Sequence, residues 1–502
     1  MTNIKEDAGR VEWRIRVDEK DGSSDQVLET EPGPANGFCR VFKCLVANKF
    51  SMRLLRFLKK AWHLGVDDPR KVFHCLKVGI ALSVVSLFYY MRPLYDGVGG
   101  TAMWAVMTVV VVFENTVGAT ISKSLNRAIG TCLAGLLAVG IHYVASKSGN
   151  KLEPVIVGGS LFLLASAATF SRFVPAVKKK FDYGTVIFIL TFSLVSVSGY
   201  RVEKLFDMAK QRLSTIIIGT SLCILTSMLV SPIWAGQELH CLIIKNMEKL
   251  ATSLECCVAE YFDDGQKTTS APVQNLQAYK CVLNSKATEE SMANFAAWEP
   301  AHGSFNFQHP WKQYLKIAAA MRDCAYCIEA LNSCISNKTQ ASKSMKKHLS
   351  DICLKVNSSS GSILRELAIN LETFKKTSKM DISIEEMNNS VQEVKNYLKS
   401  LPGLVLTPTT SETKSSETAI MEPLLTTNTI PLVEVIPLVT FTSLLIEIPT
   451  RVEAIVDAVE ELANKAKFKP APDDKPKQNE QNNKTVSEQL NDEKTMKTLQ
   501  SV

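Results

Sequence analysis

Six apolar stretches crowd residues 72 to 234, and no other part of the chain contains a certain seventh. They run approximately over 72–91, 98–115, 125–145, 154–173, 183–200 and 210–234. Each holds roughly 18–25 residues, enough at about 1.5 Å per residue to cross a hydrocarbon core of about 30 Å. A spanning helix satisfies its own backbone polar groups, as lipid requires. The predicted fold class is therefore an all-α membrane protein, with six transmembrane helices followed by a helical cytosolic domain. The 46% hydrophobic content would suit a soluble protein, but the average hides the concentration of apolar residues before residue 235. Tyr89, Tyr90, Tyr143, Tyr183, Tyr200 and Trp234 fall at span edges, where amphipathic rings anchor at headgroup level.

Lys and Arg counts orient the bundle. The segment before the first span and the second and fourth loops together hold thirteen, among them Lys49, Arg53, Lys123, Arg172 and Lys178. The opposite loops hold six: Arg92, Lys147, Lys151, Arg201, Lys204 and Lys210. The excess of positive charge marks the cytosolic side, so both termini are expected in the cytosol. The N-terminal MTNIKEDAGRVEWRIRVDEKDG lacks an apolar core, so no cleaved signal peptide is expected and targeting falls to the first span.

The expected organisation is a disordered polar segment (1–48), a basic juxtamembrane segment (49–71), the six-helix pore domain (72–234) and a helical cytosolic domain (235–400). A flexible linker (401–430), a C-terminal cytosolic helix (431–467) and a disordered tail (468–502) follow. Ile317, Met321, Cys324, Ile328, Leu331 and Ile335 alternate steps of four and three, the mark of a buried helical stripe. Phe441, Leu445, Ile448, Val452, Ile455, Val459 and Leu462 form a second. The start of that helix, 431–448, is the one rival for a seventh span; Glu434, Pro437 and Glu447 argue for a buried cytosolic helix instead. Gly130, Ala134 and Ala138 form a small-residue seam on the third span, suited to close helix packing or to a subunit contact.

No catalytic constellation is visible, and neither an enzyme activity nor a cofactor is expected. Cys324 and Cys327 have no second CxxC to complete a zinc site, and cytosolic cysteines stay reduced. The net charge of +7 carries no basic block with interleaved aromatics, so no nucleic-acid partner is expected; membrane lipids are. The informative charges are Arg127, Arg212 and Lys77, inside or at the ends of spans. A charged side chain there costs on the order of 3 kcal/mol and asks for a purpose. Arg127 and Arg212 each lie about five residues from the middle of a helix, on opposite sides of the membrane. Either both face a common lumen, where positive charge admits anions and repels cations, or they snorkel to headgroups; Lys77 carries the same ambiguity. On the outer side Asp96, Glu203 and Asp207 are carboxylates near span ends. They are read as solvated or ion-paired, or as a site for a hard cation or for protons.

Several long motifs then resemble one family. WAVMTVVVVFENTVGATISKSLNRAIGT (104–131), KFDYGTVIFILTFSLVSVSGYR (180–201), QRLSTIIIGT (211–220), PIWAGQELH (232–240) and WEPAHGSFNFQHPWKQY (298–314) are similar to stretches of the plant aluminium-activated malate transporters. The likeness covers roughly residues 60–335 and returns faintly in the final helix. Where the family often has WEPPHG, Ala301 replaces the second proline. The resemblance implies a homodimeric channel for malate and other small anions. It implies Arg127 and Arg212 in the anion pathway, and Asp96, Glu203 and Asp207 at the positions linked to aluminium sensing in responsive relatives. It points to the plasma membrane rather than the vacuolar one. The alternative, a coupled organic-anion carrier, calls for an acidic proton acceptor within the membrane; Glu114 lies only at a span end.

Overall fold

The stripe expected at residues 441–462 is realised in full, with every one of its seven side chains buried. The computed structural model describes residues 36–91, 102–149, 151–199, 205–263, 273–336, 343–377, 380–406 and 432–470. Two units divide the chain, Met1–Arg70 and Lys71–Val502. In the first, the described residues form one long helix, α1 (Asn36–Asp67). It begins inside the segment that composition assigned to disorder, where FCRVFKCLVANKF mixes apolar and helix-favouring residues.

All six predicted spans fall on helices: α2 (Pro69–Tyr90), α3 (Ala102–Val112), α4 (Val117–Lys147), α5 (Glu153–Ser171), α6 (Pro175–Gly199) and α7 (Leu205–Leu229). Among the described residues five helices are long and apolar enough to cross a membrane. Four of them are α4 to α7, and the fifth is Val435–Ala466. With 11 residues α3 spans only about 16 Å; residues 92–101 before it lie outside the described residues. Helix α5 buries none of its side chains, leaving Phe162, Leu163 and Phe170 exposed, as a lipid-facing helix would.

Helix α4 organises this layer. Its 31 residues extend about 46 Å, and it packs against α5, α6 and α7. The Thr116 hydroxyl caps it by accepting from the Ala119 N–H at 3.3 Å. The seam of Gly130, Ala134 and Ala138 is used within the chain: Ala134 and Ala138 are buried with Phe192 and Val195 of α6. The backbone of Gly184 comes so near Gly130 that an added Cβ would lie 2.6 Å from its carbonyl oxygen.

Beyond residue 234 the chain builds a helical assembly from α8 (Ala235–Phe262), the short α9 (Val273–Leu276) and α10 (Tyr279–Asn284), α11 (Lys286–Ala296), α12 (Trp311–Ser336), α13 (Lys343–Thr373), α14 (Met380–Leu406) and α15 (Leu432–Ala466). One core runs through it, joining Leu239, Met247 and Leu254 of α8 to Ile317, Met321 and Cys324 of α12 and to Phe441, Leu445 and Val452 of α15. Thus α15, long and apolar enough to span, spends its apolar face on this core and continues through Pro437 and Pro449. Cys324 is fully buried, and burial pushes its thiol up, which suits an inert core residue. A two-residue parallel bridge, Lys375–Lys376 with Lys469–Pro470, ties the ends of α13 and α15.

Candidate functional site

Arg127 and Arg212 come together. Both line one cavity of about 20 Å³, with Trp104 of α3, Thr131 of α4 and Thr191 of α6. Arg127 is buried, and its Nη1 donates to the Tyr183 hydroxyl at 3.2 Å. Its Nε, also buried, has no hydrogen-bond partner among the described residues. The half-buried Arg212 guanidinium sits over the Trp104 ring, 4.2 Å from the centroid, a cation–π contact. A larger space of about 230 Å³ adjoins, lined by Thr131, Thr191, Lys210 and Arg212 among others. Among the described residues neither arginine has an acidic partner, although a guanidinium without one is costly in a low-dielectric bundle. A site that gathers two such charges beside hydroxyls is suited to holding an anion in transit.

Lys77 stands apart from that cavity. It is 1% exposed, and its Nζ donates to the Ser231 carbonyl at 2.7 Å, just past the end of α7. A cation there answers the unsatisfied carbonyls and the negative pole of the helix end. Asp96 and Glu203 lie outside the described residues. Asp207 falls in the first turn of α7, with its side chain outside them. Glu114 pairs with Lys123, and the Asn126 amide donates to the Lys180 carbonyl at 3.0 Å, so polar groups on the first turns of α4 find partners on adjoining segments.

A second feature escaped the sequence reading. The Glu299 carboxylate, buried, accepts three backbone bonds: from Gly118 N at 3.1 Å and Ala235 N at 2.6 Å on Oε1, and from Gly236 N at 3.0 Å on Oε2. Gly118 opens α4 and Ala235–Gly236 opens α8, so one side chain satisfies orphan donors of two helix starts and lies at both positive poles. Glycine is required at both places. A Cβ on Gly118 would meet the Phe295 carbonyl at 2.4 Å, and one on Gly236 the Trp311 ring at 2.3 Å. Burial pushes the Glu299 carboxyl up, and the three N–H groups oppose that push. His302 stacks on Trp234 at 4.0 Å, with its Nε2 3.8 Å from Glu299 Oε2. The clasp therefore joins the helix carrying Arg127 to the first helix of the C-terminal assembly.

Beside it the Tyr314 hydroxyl lies between two imidazoles, 2.9 Å from His240 Nδ1 and 3.3 Å from His309 Nε2. Burial first, and then a neighbouring histidine, pushes both imidazoles down to about 4 from the usual 6.5. The folded protein thus keeps them neutral where the unfolded chain binds protons. Their contribution to stability is complete above about pH 6.5 and is lost as pH falls toward 4. Melting curves of the purified full-length protein should shift down across that window, and His309→Gln should flatten the shift. Parallel pH profiles for the two proteins would refute the assignment.

The family model described as aluminium activated malate transporter matches residues 62–423 and 409–463. Aluminum-activated malate transporter 10 of Arabidopsis thaliana is 51% identical over 484 residues, covering 92% of this chain and 95% of that protein. Aluminum-activated malate transporter 2 of the same plant is 43% identical over 421 residues, covering 83% and 79%. Aluminum-activated malate transporter 1 of Triticum aestivum is 42% identical over 356 residues, covering 69% and 78%. With its several apolar helices, the chain is a multi-pass membrane protein. It belongs to the aluminium-activated malate transporter family.

Proposed function

We propose that this chain is a passive channel for malate and other small anions, with Arg127 and Arg212 lining its pathway. The supporting observation is their convergence, from α4 and α7, on one cavity that also holds Thr131 and Thr191. In this reading α2 to α7 are six spans, both termini are cytosolic, and two copies assemble in a plant plasma membrane. The membrane potential drives the flux: about 2.3 kcal/mol per charge per 100 mV pushes anions out of a negative cytosol. Trp104 and Tyr183 keep the two guanidinium groups in place, and Lys77, anchored on Ser231, adds its charge to the field from α2. The assembly from α8 onward reports to the pathway through Glu299. Asp96, Glu203 and Asp207 are the candidate outer-face sensors of aluminium or protons.

Patch-clamp recording in a malate gradient tests the transport mode. Currents that reverse at the anion equilibrium potential are expected, whereas electroneutral flux following a proton gradient would establish a coupled carrier instead. Arg212→Gln should lower anion conductance roughly ten-fold at unchanged surface expression, the worth of about 1.4 kcal/mol of attraction. Unchanged conductance would remove Arg212 from the pathway.

A further inference from the structure

Thr131 differs from five other buried threonines of the chain's helices. Thr108, Thr120, Thr215, Thr220 and Thr442 each donate to the carbonyl four residues back, at 2.7 to 3.1 Å. That bond is the usual way a helical hydroxyl is satisfied in an apolar setting. Thr131 is 4% exposed, and among the described residues its Oγ1 has no hydrogen-bond partner. One turn before it, the Nε of Arg127 is equally buried and equally unpartnered. Residues four apart share a helix face, and both line the cavity that Arg212 closes from the other side. Leaving such donors unmade is expensive, so their coincidence at one cavity calls for an acceptor from outside the chain.

We propose that Thr131 is a specificity-determining residue: its hydroxyl and the Arg127 Nε–H form a paired donor site for one carboxylate group of the permeating anion. The inference rests on the anion pathway proposed above and deepens it. A carboxylate presents two oxygens in a plane and can accept from both donors at once, whereas a halide offers a single centre. The cavity is about 20 Å³, room for about one water molecule. An anion passing this constriction sheds its water there and takes up protein donors instead. Arg212, with Thr191 beside the same space, meets the second carboxylate of a dicarboxylate. Arg127 supplies charge to any anion, and Thr131 supplies the preference for a carboxylate.

The test is the malate-to-chloride permeability ratio of Thr131→Val and Thr131→Ser channels, measured beside Arg212→Gln. Valine keeps the shape and removes the hydroxyl. Its ratio should fall roughly ten-fold, the worth of one hydrogen bond between a hydroxyl and a charged group, while serine retains the wild-type ratio. A second readout separates this role from a structural one. Because valine removes an unpartnered buried hydroxyl, Thr131→Val protein purified without malate should melt no lower than wild type. Added malate should raise its melting temperature less than that of wild type. A wild-type ratio in Thr131→Val together with reduced conductance in Arg212→Gln would overturn the role of Thr131 and leave the pathway standing. Wild-type behaviour in both variants would overturn the pathway and this inference with it. A Thr131→Val protein that melts well below wild type would identify a packing role and likewise overturn the proposal.

Discussion

Glu299→Ala is expected to be the most damaging single substitution outside the membrane helices. Three backbone N–H groups, of Gly118, Ala235 and Gly236, point at that carboxylate. Alanine would leave all three buried without an acceptor, at about 1–3 kcal/mol each. It would also leave two positive helix poles facing one another with no anion between them. Partial entry of water offsets some of this, so a net loss on the order of 3–5 kcal/mol is expected, comparable to breaking a buried ion pair. Glutamine should fall between alanine and wild type. Its amide oxygen can still serve Gly118 and Ala235, which share Oε1, but its NH₂ then faces the Gly236 N–H, donor against donor. Melting temperatures of the full-length protein in detergent should follow wild type, then Gln, then Ala, with the alanine drop on the order of 10 °C. Hydrogen exchange should quicken first at the starts of α4 and α8. An alanine protein that melts like wild type would show that the two helix starts do not depend on this side chain.

The parts of this architecture legible in the sequence are those written in periodicity. The α12 stripe is buried from Ile317 to Leu331, with Ile335 at its end partly buried, and the α15 stripe from Phe441 to Leu462 is buried throughout, because each helix has one apolar face and one core to fill. Apolar length located α2 to α7 but not α1. It failed at the start of α4, where residues 117–124 are helical although the apolar stretch begins only at 125. Those turns carry Ser and Thr that packing against other segments, not apolarity, holds in place: the Thr120 hydroxyl accepts from the Glu114 N–H, and Gly118 is bound by Glu299. Periodicity is silent about such partners. The Glu299 clasp joins positions 181 and 64 residues apart, through backbone amides that every sequence possesses. Lys77 shows the same limit. Its sequence position suggested a pathway or a headgroup, and the structure adds a backbone carbonyl 154 residues away. Thr131 was visible only as the residue one turn after Arg127; its lack of a carbonyl partner exists only in three dimensions.

Reversing the charge at Arg212 should nearly abolish anion current, well beyond the effect of neutralising it. With glutamine, Arg127 still presents its charge to the shared cavity. With glutamate, a negative charge occupies the place from which attraction came, and the two remaining charges cancel at the constriction. A unit charge about 4 Å from an anion is worth about 4 kcal/mol at an effective dielectric constant of ~20, so reversal changes the balance by up to about 8 kcal/mol. If water and side-chain movement retain only a third of that, about 3 kcal/mol remains, roughly a hundred-fold in anion occupancy. Glutamate also loses the cation–π contact with Trp104, whose negative ring face repels a carboxylate, so the side chain should turn toward Arg127 and pair with it. Arg127→Glu in the reversed background should leave the current abolished, because the passage then carries two negative charges. Glutamate at 127 with arginine kept at 212 should behave like the single Arg212→Glu channel. Current amplitude in malate, normalised to surface protein, distinguishes these outcomes. An Arg212→Glu channel that conducts malate like wild type would mean that the anion route does not run between α4 and α7.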